Sequence, residues 1–367
     1  MDETRHAGVA HQRGAPDIGR TPRDRLASPP GGQSLGVLLA RFQMLALSGG
    51  GYLGLYTAHI LAALEARAKR PLASCFDLIC GTSIGGILAL GLAHEVSTAE
   101  MVKAFEEGGE KIFSDRPPPQ TATGQFLDLR RYAFKPKYSA DPLRAVVDSL
   151  LGSETLLGDA KHRVVIPALN MTTGSPQMFK TPHHTSLSED RNRKSVDIGL
   201  ATSAAPMLFP LAEVNNALFA DGGLFANAPD MIGLHEARHF LGQTTDDVHI
   251  LSVGTTTSSM SLAHATGRDF GIANWIAGQR LISAVISAQQ QSVDFMLRHE
   301  LGDRYQRIDT MQSREQERQL GLDVANAAAR ATIAGLAGAA AQKALGNSRV
   351  TAFLEHQAPA VEWSHHG

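Results

Sequence analysis

An α/β sandwich with a mainly parallel sheet is the fold class this sequence predicts, and three observations predict it. Over about the first 255 residues, short apolar runs alternate with longer stretches of helical spacing, the pattern of strands buried on both faces and joined by crossover helices. Two of the joints are glycine-rich, Ser48-Gly49-Gly50-Gly51-Tyr52-Leu53-Gly54 and Gly81-Thr82-Ser83-Ile84-Gly85-Gly86, and each lies between an apolar run and a helical one. With 367 residues and 43% apolar content, the chain can build one large α/β domain or two small ones.

Residues 1–35, ending in Ser28-Pro29-Pro30-Gly31-Gly32-Gln33, bury too little apolar surface to offset ordering and predict a flexible arm. The main α/β domain is expected over 36–255. It opens with a strand at Phe42–Leu47, the first glycine loop and a helix over 55–68; the run 76–80, the second glycine turn and another helix repeat the unit. From 113 to 138 the pattern loosens into a long irregular segment, with Pro117-Pro118-Pro119 and the basic-aromatic stretch Arg130-Arg131-Tyr132-Ala133-Phe134-Lys135-Pro136-Lys137-Tyr138. Such a segment is a functional flap or a solvated loop, and the basic-aromatic stretch suits an anionic ligand or lipid headgroups as well as plain solvent.

Asp141–Leu151 returns to helical periodicity. Val164–Asn170 and 176–180 read as strands, 196–207 as a helix, and 217–220 as a short strand that delivers Asp221-Gly222-Gly223 at its end. Val248–Val253 is a further strand closed by Gly254. Residues 256–367 predict a helical extension packed on the same domain, amphipathic over 270–299 and Ala-rich over 323–345.

A net charge of -2, from 34 Lys and Arg against 36 Asp and Glu, argues against DNA or RNA as the partner of the whole surface. The two cysteines, Cys75 and Cys80, sit five apart around one predicted strand, so their side chains point to opposite faces and a disulfide between them is not expected. Both read as small buried hydrophobes of a reducing compartment. The first 25 residues hold no apolar signal core and no run of 18 apolar residues occurs, which leads us to expect a cytoplasmic protein.

The chemistry concentrates at Gly81-Thr82-Ser83-Ile84-Gly85, a Gly-x-Ser-x-Gly turn between a strand and a helix. A nucleophile must leave its strand through a sharp turn where backbone crowds backbone, so both flanking positions need minimal side chains; a serine that merely caps the helix is the plainer alternative. Gly49, Gly50 and Gly51, between a strand and a helix, can aim backbone N–H groups at a developing oxyanion. Asp221, at a strand end before Gly222 and Gly223, is placed to serve Ser83 as a base.

Three other readings compete. Gly49-x-Gly51-x-x-Gly54 satisfies a dinucleotide fingerprint, but the acidic residue expected at the end of the second strand is missing, since Asp77 begins that strand and Cys80-Gly81 ends it. A Ser-Asp-His triad could draw on His235, His239 or His249, none of which stands in a loop with a signature. The His183-His184 pair has no His or Cys partner at ligand spacing, so no metal is expected.

Ser48-Gly49-Gly50-Gly51-Tyr52-Leu53-Gly54, Gly81-Thr82-Ser83-Ile84-Gly85, Ala201-Thr202-Ser203-Ala204-Ala205-Pro206 and Asp221-Gly222-Gly223 together resemble, in order and spacing, the patatin-like phospholipases. The resemblance implies a three-layer α/β/α fold and a Ser-Asp dyad that needs neither histidine nor cofactor. Carried over, Ser83 is the nucleophile, Asp221 the general base, Gly49, Gly50 and Gly51 the oxyanion donors, and Gly54, Gly81, Gly85, Gly222 and Gly223 the supports of loop and elbow. Many members carry Arg where this chain has Leu53, so any role of that guanidinium is absent here.

A narrower likeness lies in Gly49 to Ala58 and in Asn170-Met171-Thr172-Thr173-Gly174 with Phe179-Lys180-Thr181-Pro182-His183-His184, which are similar to the bacterial patatin-like effectors of cyclic-oligonucleotide antiphage signalling. It implies release of fatty acids from membrane phospholipids at the inner face of the membrane, switched on by a cyclic dinucleotide such as cyclic GMP-AMP. A lipase or esterase without nucleotide gating, and a non-catalytic lipid- or nucleotide-binding protein, are the alternatives. No motif marks the nucleotide pocket, and a homo-oligomer stays open.

Overall fold

Six consecutive buried residues, Phe42–Leu47, make the strand β1 from which the sheet is built. Side chains alternate along a strand; Leu45 and Leu47 accordingly enter one core, and Phe42, Met44 and Ala46 enter a second core on the other face. This computed structural model describes residues 41–113, 121, 134–256, 260–276, 280–361 and 363. They belong to one unit that starts at Leu39. The expected arm and most of the expected flap, 114–120 and 122–133, lie outside the described residues.

In chain order, β1 is followed by α1 (Gly54–Ala68), β2 (Leu78–Gly81), α2 (Ile84–Ala93), α3 (Thr98–Ile112), α4 (Asp141–Leu151), β3 (Val164–Asn170) and β4 (Ser175–Lys180). Then come α5 (Ser195–Thr202), β5 (Ala212–Val214), β6 (Ala217–Asp221), α6 (Gly223–Ala226), α7 (Asp230–His239), β7 (Val248–Val253), α8 (Ile272–Ile276) and α9 (Arg280–Leu301). The chain closes through β8 (Tyr305–Ile308), α10 (Arg314–Gln319), α11 (Ala327–Leu345) and α12 (Ser348–Glu355).

The eight strands run in the order β5-β6-β3-β2-β1-β7-β8, with β4 on β3. Parallel pairings join β3, β2, β1, β7 and β8; β4, β5 and β6 run antiparallel to their neighbours. Helices α1 to α5 and α11 pack the larger core on one face, while Leu234 of α7 and Leu297 and Leu301 of α9 pack the smaller core on the other. The expected three-layer fold, a sheet between two helical layers, thus follows from strands that are apolar on both sides.

Several expected elements change bounds for identifiable reasons. The helix expected over 196–207 stops at Thr202, because Pro206 disfavours helix at the residue before it and the carbonyls of Thr202 and Ala204 are needed elsewhere. The helix expected from 323 starts at Ala327, where Asn326 caps it by accepting from the Ala329 N–H at 2.8 Å. The 270–299 stretch divides into α8 and α9.

Residues 256–367 are not wholly helical, since Tyr305–Ile308 adds a parallel strand beside β7. Four residues with only Tyr305 and Ile308 buried are too short to announce themselves by periodicity. Cys75 and Cys80 are both free and buried, in the larger and smaller cores respectively. Cys75 reaches its core from the short helical turn Leu72–Cys75 that precedes β2.

The C-terminal helix is tied into the main core by Phe353, which is 1% exposed and lies 6.3 Å from the Phe76 ring. Gln43, buried inside β1, donates from Nε2 to the Phe353 carbonyl at 3.1 Å and to the Cys75 carbonyl at 2.9 Å. We expect Phe353→Ala to cost about 3–5 kcal/mol in a single unfolding transition, measured by urea denaturation. Two separate transitions would show instead that the extension folds on its own.

Candidate active site

Two strands meet end to end along one edge of β3. β4 occupies the other edge from Val165 to Asn170, so β2, paired at Val164 and Val165, and β6, paired at Ala168 to Asn170, must share the remaining edge. β2 runs parallel to β3 and β6 antiparallel, which brings their C-terminal ends face to face. Ser83 leaves the end of β2, and Asp221 is the last residue of β6. The Ser83 hydroxyl donates to Asp221 Oδ2 at 2.8 Å although 138 positions separate the two residues.

Ser83 has φ 55° and ψ −128°, a region that side chains occupy at a cost of about 1–3 kcal/mol. Local packing holds it there. A Cβ at Gly85 would collide with the Leu47 carbonyl oxygen, and one at Gly81 with the Gly85 carbonyl oxygen. Gly54 opens α1 against Ile84 in the same way. The Thr82 N–H donates to the Leu47 carbonyl at 3.1 Å, and its hydroxyl donates to the Ala226 carbonyl at 2.6 Å.

Asp221 is 6% exposed. The Gly223 N–H donates to its Oδ1 at 2.6 Å, which turns Oδ2 toward Ser83. Burial pushes the carboxyl up from 3.8 to about 6, against the opposing pull of hydrogen bonds from Gly223 and Ser83. Gly222 lies so close to the Pro167 carbonyl that a Cβ would strike it.

The two halves of the dyad are clipped together by the block 201–206, whose role the sequence does not disclose. Thr202 Oγ1 accepts from the Ser83 N–H at 3.0 Å and donates to the Pro167 carbonyl at 2.6 Å. The Ala204 carbonyl accepts from the Asp221 N–H at 3.0 Å and the Thr202 carbonyl from Gly222 at 3.3 Å. The early end of α5 frees these carbonyls for that use.

In the first glycine loop, one of the three expected oxyanion donors has its N–H in use elsewhere. The Gly49 N–H is already committed to the Asn227 carbonyl at 2.9 Å, and the Gly49 carbonyl accepts from Asn227 Nδ2 and Thr255 Oγ1 at 3.1 Å each. Gly49 therefore anchors the loop. The N–H groups of Gly50 and Gly51 have no protein partner among the described residues. The next N–H, of Tyr52, donates to the Leu322 carbonyl at 2.7 Å, so the C-terminal extension braces the loop from behind. A Cβ at Gly49, Gly50 or Gly51 would strike the chain's own Asn227, Thr255 or Leu322, which is why all three positions are glycine. Leu53 is 4% exposed and packs in the larger core.

A cavity of about 270 Å³ opens over the dyad. Gly50, Gly51, Ser83, Asp221 and Asn227 stand on its lining, and apolar side chains such as Leu55, Ile87, Phe105, Phe209, Ile282 and Val285 supply most of the rest. The residues of α9 that line it are held over the dyad by Gln289. That side chain accepts from the Asn227 N–H at 3.0 Å and donates to the Leu224 carbonyl at 3.0 Å. Phe113 and Phe209, both on the lining, pack with Tyr138, the Phe113 ring lying 5.7 Å from each of the other two.

The candidate histidines sit elsewhere, and no histidine is among the cavity's lining residues. His183 is buried with Glu236 at 2.9 Å, His235 and His239 stack on one another at 5.3 Å, and His249 lies 6.4 Å from the Phe353 ring. His184 Nδ1 meets the Ser186 hydroxyl at 2.8 Å. Among the described residues no group of three or more His, Cys, Asp and Glu is placed to hold a metal ion. Of the basic-aromatic stretch, Lys137 is tied to Asp323 at 2.8 Å. No helix among the described residues is long and apolar enough to cross a membrane.

A strained serine at a strand-to-helix elbow, a buried carboxylate on its hydroxyl, two open N–H groups and an apolar cavity make an arrangement suited to acyl transfer. Residues 45–232 match the family model described as patatin-like phospholipase, and the chain belongs to that family. Among its relatives, it is 44% identical over 326 residues to a cGAMP-activated phospholipase of Pseudomonas aeruginosa, covering 88% of this chain and 95% of that protein. It is also 37% identical over 313 residues to a cGAMP-activated phospholipase of Vibrio cholerae, covering 80% of this chain and 88% of that one. A cGAMP-activated phospholipase of Escherichia coli is 37% identical over 308 residues, covering 78% and 85%.

The Thr202 hydroxyl joins the Ser83 amide to the Pro167 carbonyl. We expect Thr202→Val to lower kcat about ten-fold or more with little change in KM, the hydrogen bonds being worth about 1–3 kcal/mol, while Thr202→Ser restores activity. Steady-state ester hydrolysis checks it, and an unchanged kcat in the valine variant contradicts the clip.

Proposed function

We propose that this protein is a phospholipase that releases fatty acids from membrane glycerophospholipids through a Ser83–Asp221 dyad and is activated by cyclic GMP-AMP. The observation that carries the chemistry is the 2.8 Å hydrogen bond from the Ser83 hydroxyl to Asp221 beneath an apolar cavity. The nucleotide gating rests on the relatives named as cGAMP-activated phospholipases, which match along most of their length.

In the first step Asp221 takes the hydroxyl proton as Ser83 Oγ attacks the acyl carbonyl, and the negative charge on the carbonyl oxygen faces the N–H groups of Gly50 and Gly51. The proton then passes to the leaving glyceryl oxygen, which departs and leaves the acyl group on Ser83. In the second step Asp221 takes a proton from water, the hydroxide attacks the acyl-enzyme, and the Ser83 oxygen regains the proton as the fatty acid leaves. A carboxylate serves as base here because burial raises its proton affinity toward the neutral range.

Mixing the protein with phospholipid vesicles, with and without cyclic GMP-AMP, tests both parts. Fatty acid is expected only with the nucleotide, and release is expected to fall by about 1,000-fold or more in Ser83→Ala and Asp221→Asn. Equal release without nucleotide removes the gating, and unchanged release in both variants removes the dyad.

The pH dependence follows from the carboxyl. The base works ionised, so kcat/KM should rise through about pH 6 and level off above it. The stability effect has the opposite sign. A carboxyl whose folded pKa is raised favours the fold fully below its unfolded value of 3.8, and that contribution, about 3 kcal/mol, fades as pH rises through about 6. A kcat/KM profile that stays flat from about pH 5 to about pH 8, across the Asp221 value of about 6, contradicts the assignment.

A further inference from the structure

Ser203 is 5% exposed and its hydroxyl has no hydrogen-bond partner among the described residues. A buried polar group left unmatched is disfavoured and calls for an explanation. Its position supplies one. It lies between Thr202 and Ala204, the two residues that bind the elbow and Asp221, and it lines the 270 Å³ cavity over the dyad.

Ser203 also lines a second cavity of about 150 Å³. Leu143, Ser203 and Phe209 are common to both linings, so the two cavities stand back to back across these three residues. Their chemistry differs. The first is apolar away from the dyad, whereas the second has Arg144 and Glu213 on its lining, both exposed to solvent. The Arg144 guanidinium is held by Asp197 at 2.9 Å. That ion pair fixes its position and leaves other donors of its five N–H groups to bind elsewhere.

One cation and one anion at the rim of a small cavity, next to a larger apolar one, match a molecule with an acyl chain, a phosphate and an ammonium group. We propose that the second cavity is a headgroup subsite for zwitterionic phospholipid, with the phosphate toward Arg144, the ammonium toward Glu213 and the Ser203 hydroxyl donating to an oxygen of the glycerol-phosphate portion between them. This rests on the phospholipase reading and deepens it by naming the substrate class. The acyl chain lies in the larger cavity with its carbonyl over Ser83, so these three residues bind substrate and take no proton.

The test uses the full chain with cyclic GMP-AMP present, phosphatidylethanolamine vesicles as one substrate and a neutral p-nitrophenyl ester as the other. Glycerophosphoethanolamine, which carries the headgroup without acyl chains, serves as a competing probe. Arg144→Ala, Glu213→Gln and Ser203→Ala are expected to raise KM for the vesicles, lowering kcat/KM about five-fold or more beyond their effect on the neutral ester. The probe should inhibit the unmodified protein competitively, inhibit the Arg144 and Glu213 variants about five-fold less well, and regain part of its effect in Arg144→Lys.

The proposal is overturned if each variant loses vesicle and neutral-ester turnover in equal proportion, which marks a structural role, or if the vesicle KM and the inhibition are unchanged. It is overturned too if the probe fails to inhibit the unmodified protein. A protein that cleaves the neutral ester but never the vesicles removes the phospholipase reading itself, a result distinct from any of these.

Discussion

The site depends on two strand ends meeting on one edge of β3. β2 arrives parallel and stops at Gly81, β6 arrives antiparallel and stops at Asp221, and between their pairings lie only Ile166 and Pro167. Pro167 has no N–H to offer a neighbouring strand, and its carbonyl is taken by the Thr202 hydroxyl. The opposite directions of the two strands make their C-terminal ends converge. Ser83 and Asp221, the proposed nucleophile and base, can therefore come from distant parts of the chain and still share a hydrogen bond set by rigid backbone rather than by flexible loops.

That rigidity sustains features a looser site would lose. Ser83 is held at a positive φ by glycines that leave no room for relaxation, and Asp221 is largely buried, with two hydrogen bonds to its carboxylate among the described residues. Both oppose folding by amounts on the order of a few kcal/mol. Strain and an unwelcome buried carboxylate beside an apolar cavity are the expected marks of a site shaped by chemistry rather than by stability. The C-terminal extension bears part of the load. The Leu322 carbonyl braces the glycine loop and Gln289 ties α9 to the Asp221–Asn227 turn, so residues outside the matched 45–232 region shape the site.

Much of this was legible in the sequence, and the rest was hidden for physical reasons. The strand-glycine-helix units at Ser48 and Gly81 could be read because buried parallel strands are apolar throughout and an elbow tolerates only small neighbours. Asp221 could be read because it ends an apolar run before two glycines. Asn227 could not, and Thr202 and Ser203 stood out only as part of the 201–206 block, without a role, since a threonine that binds an amide across 119 positions looks like any other threonine. Leu322 acts through its carbonyl, a group every residue carries. Gly49 looked equivalent to Gly50 and Gly51, and only the Asn227 contact distinguishes an anchor from an open donor. Strands β5 and β8, three and four residues long, carry too little periodicity to register.

The central claim is that Ser83, Asp221 and the amides of Gly50 and Gly51 converge on one reacting acyl carbon. A crystal structure of the protein after reaction with a long-chain fluorophosphonate tests it most directly, because the phosphorus mimics the tetrahedral carbon. The account predicts phosphorus bonded to Ser83 Oγ, a phosphoryl oxygen about 3 Å from the Gly50 and Gly51 N–H groups, and the alkyl chain along the cavity beneath α9. A phosphonate on any other residue, or one whose oxygen turns away from both glycines, contradicts it.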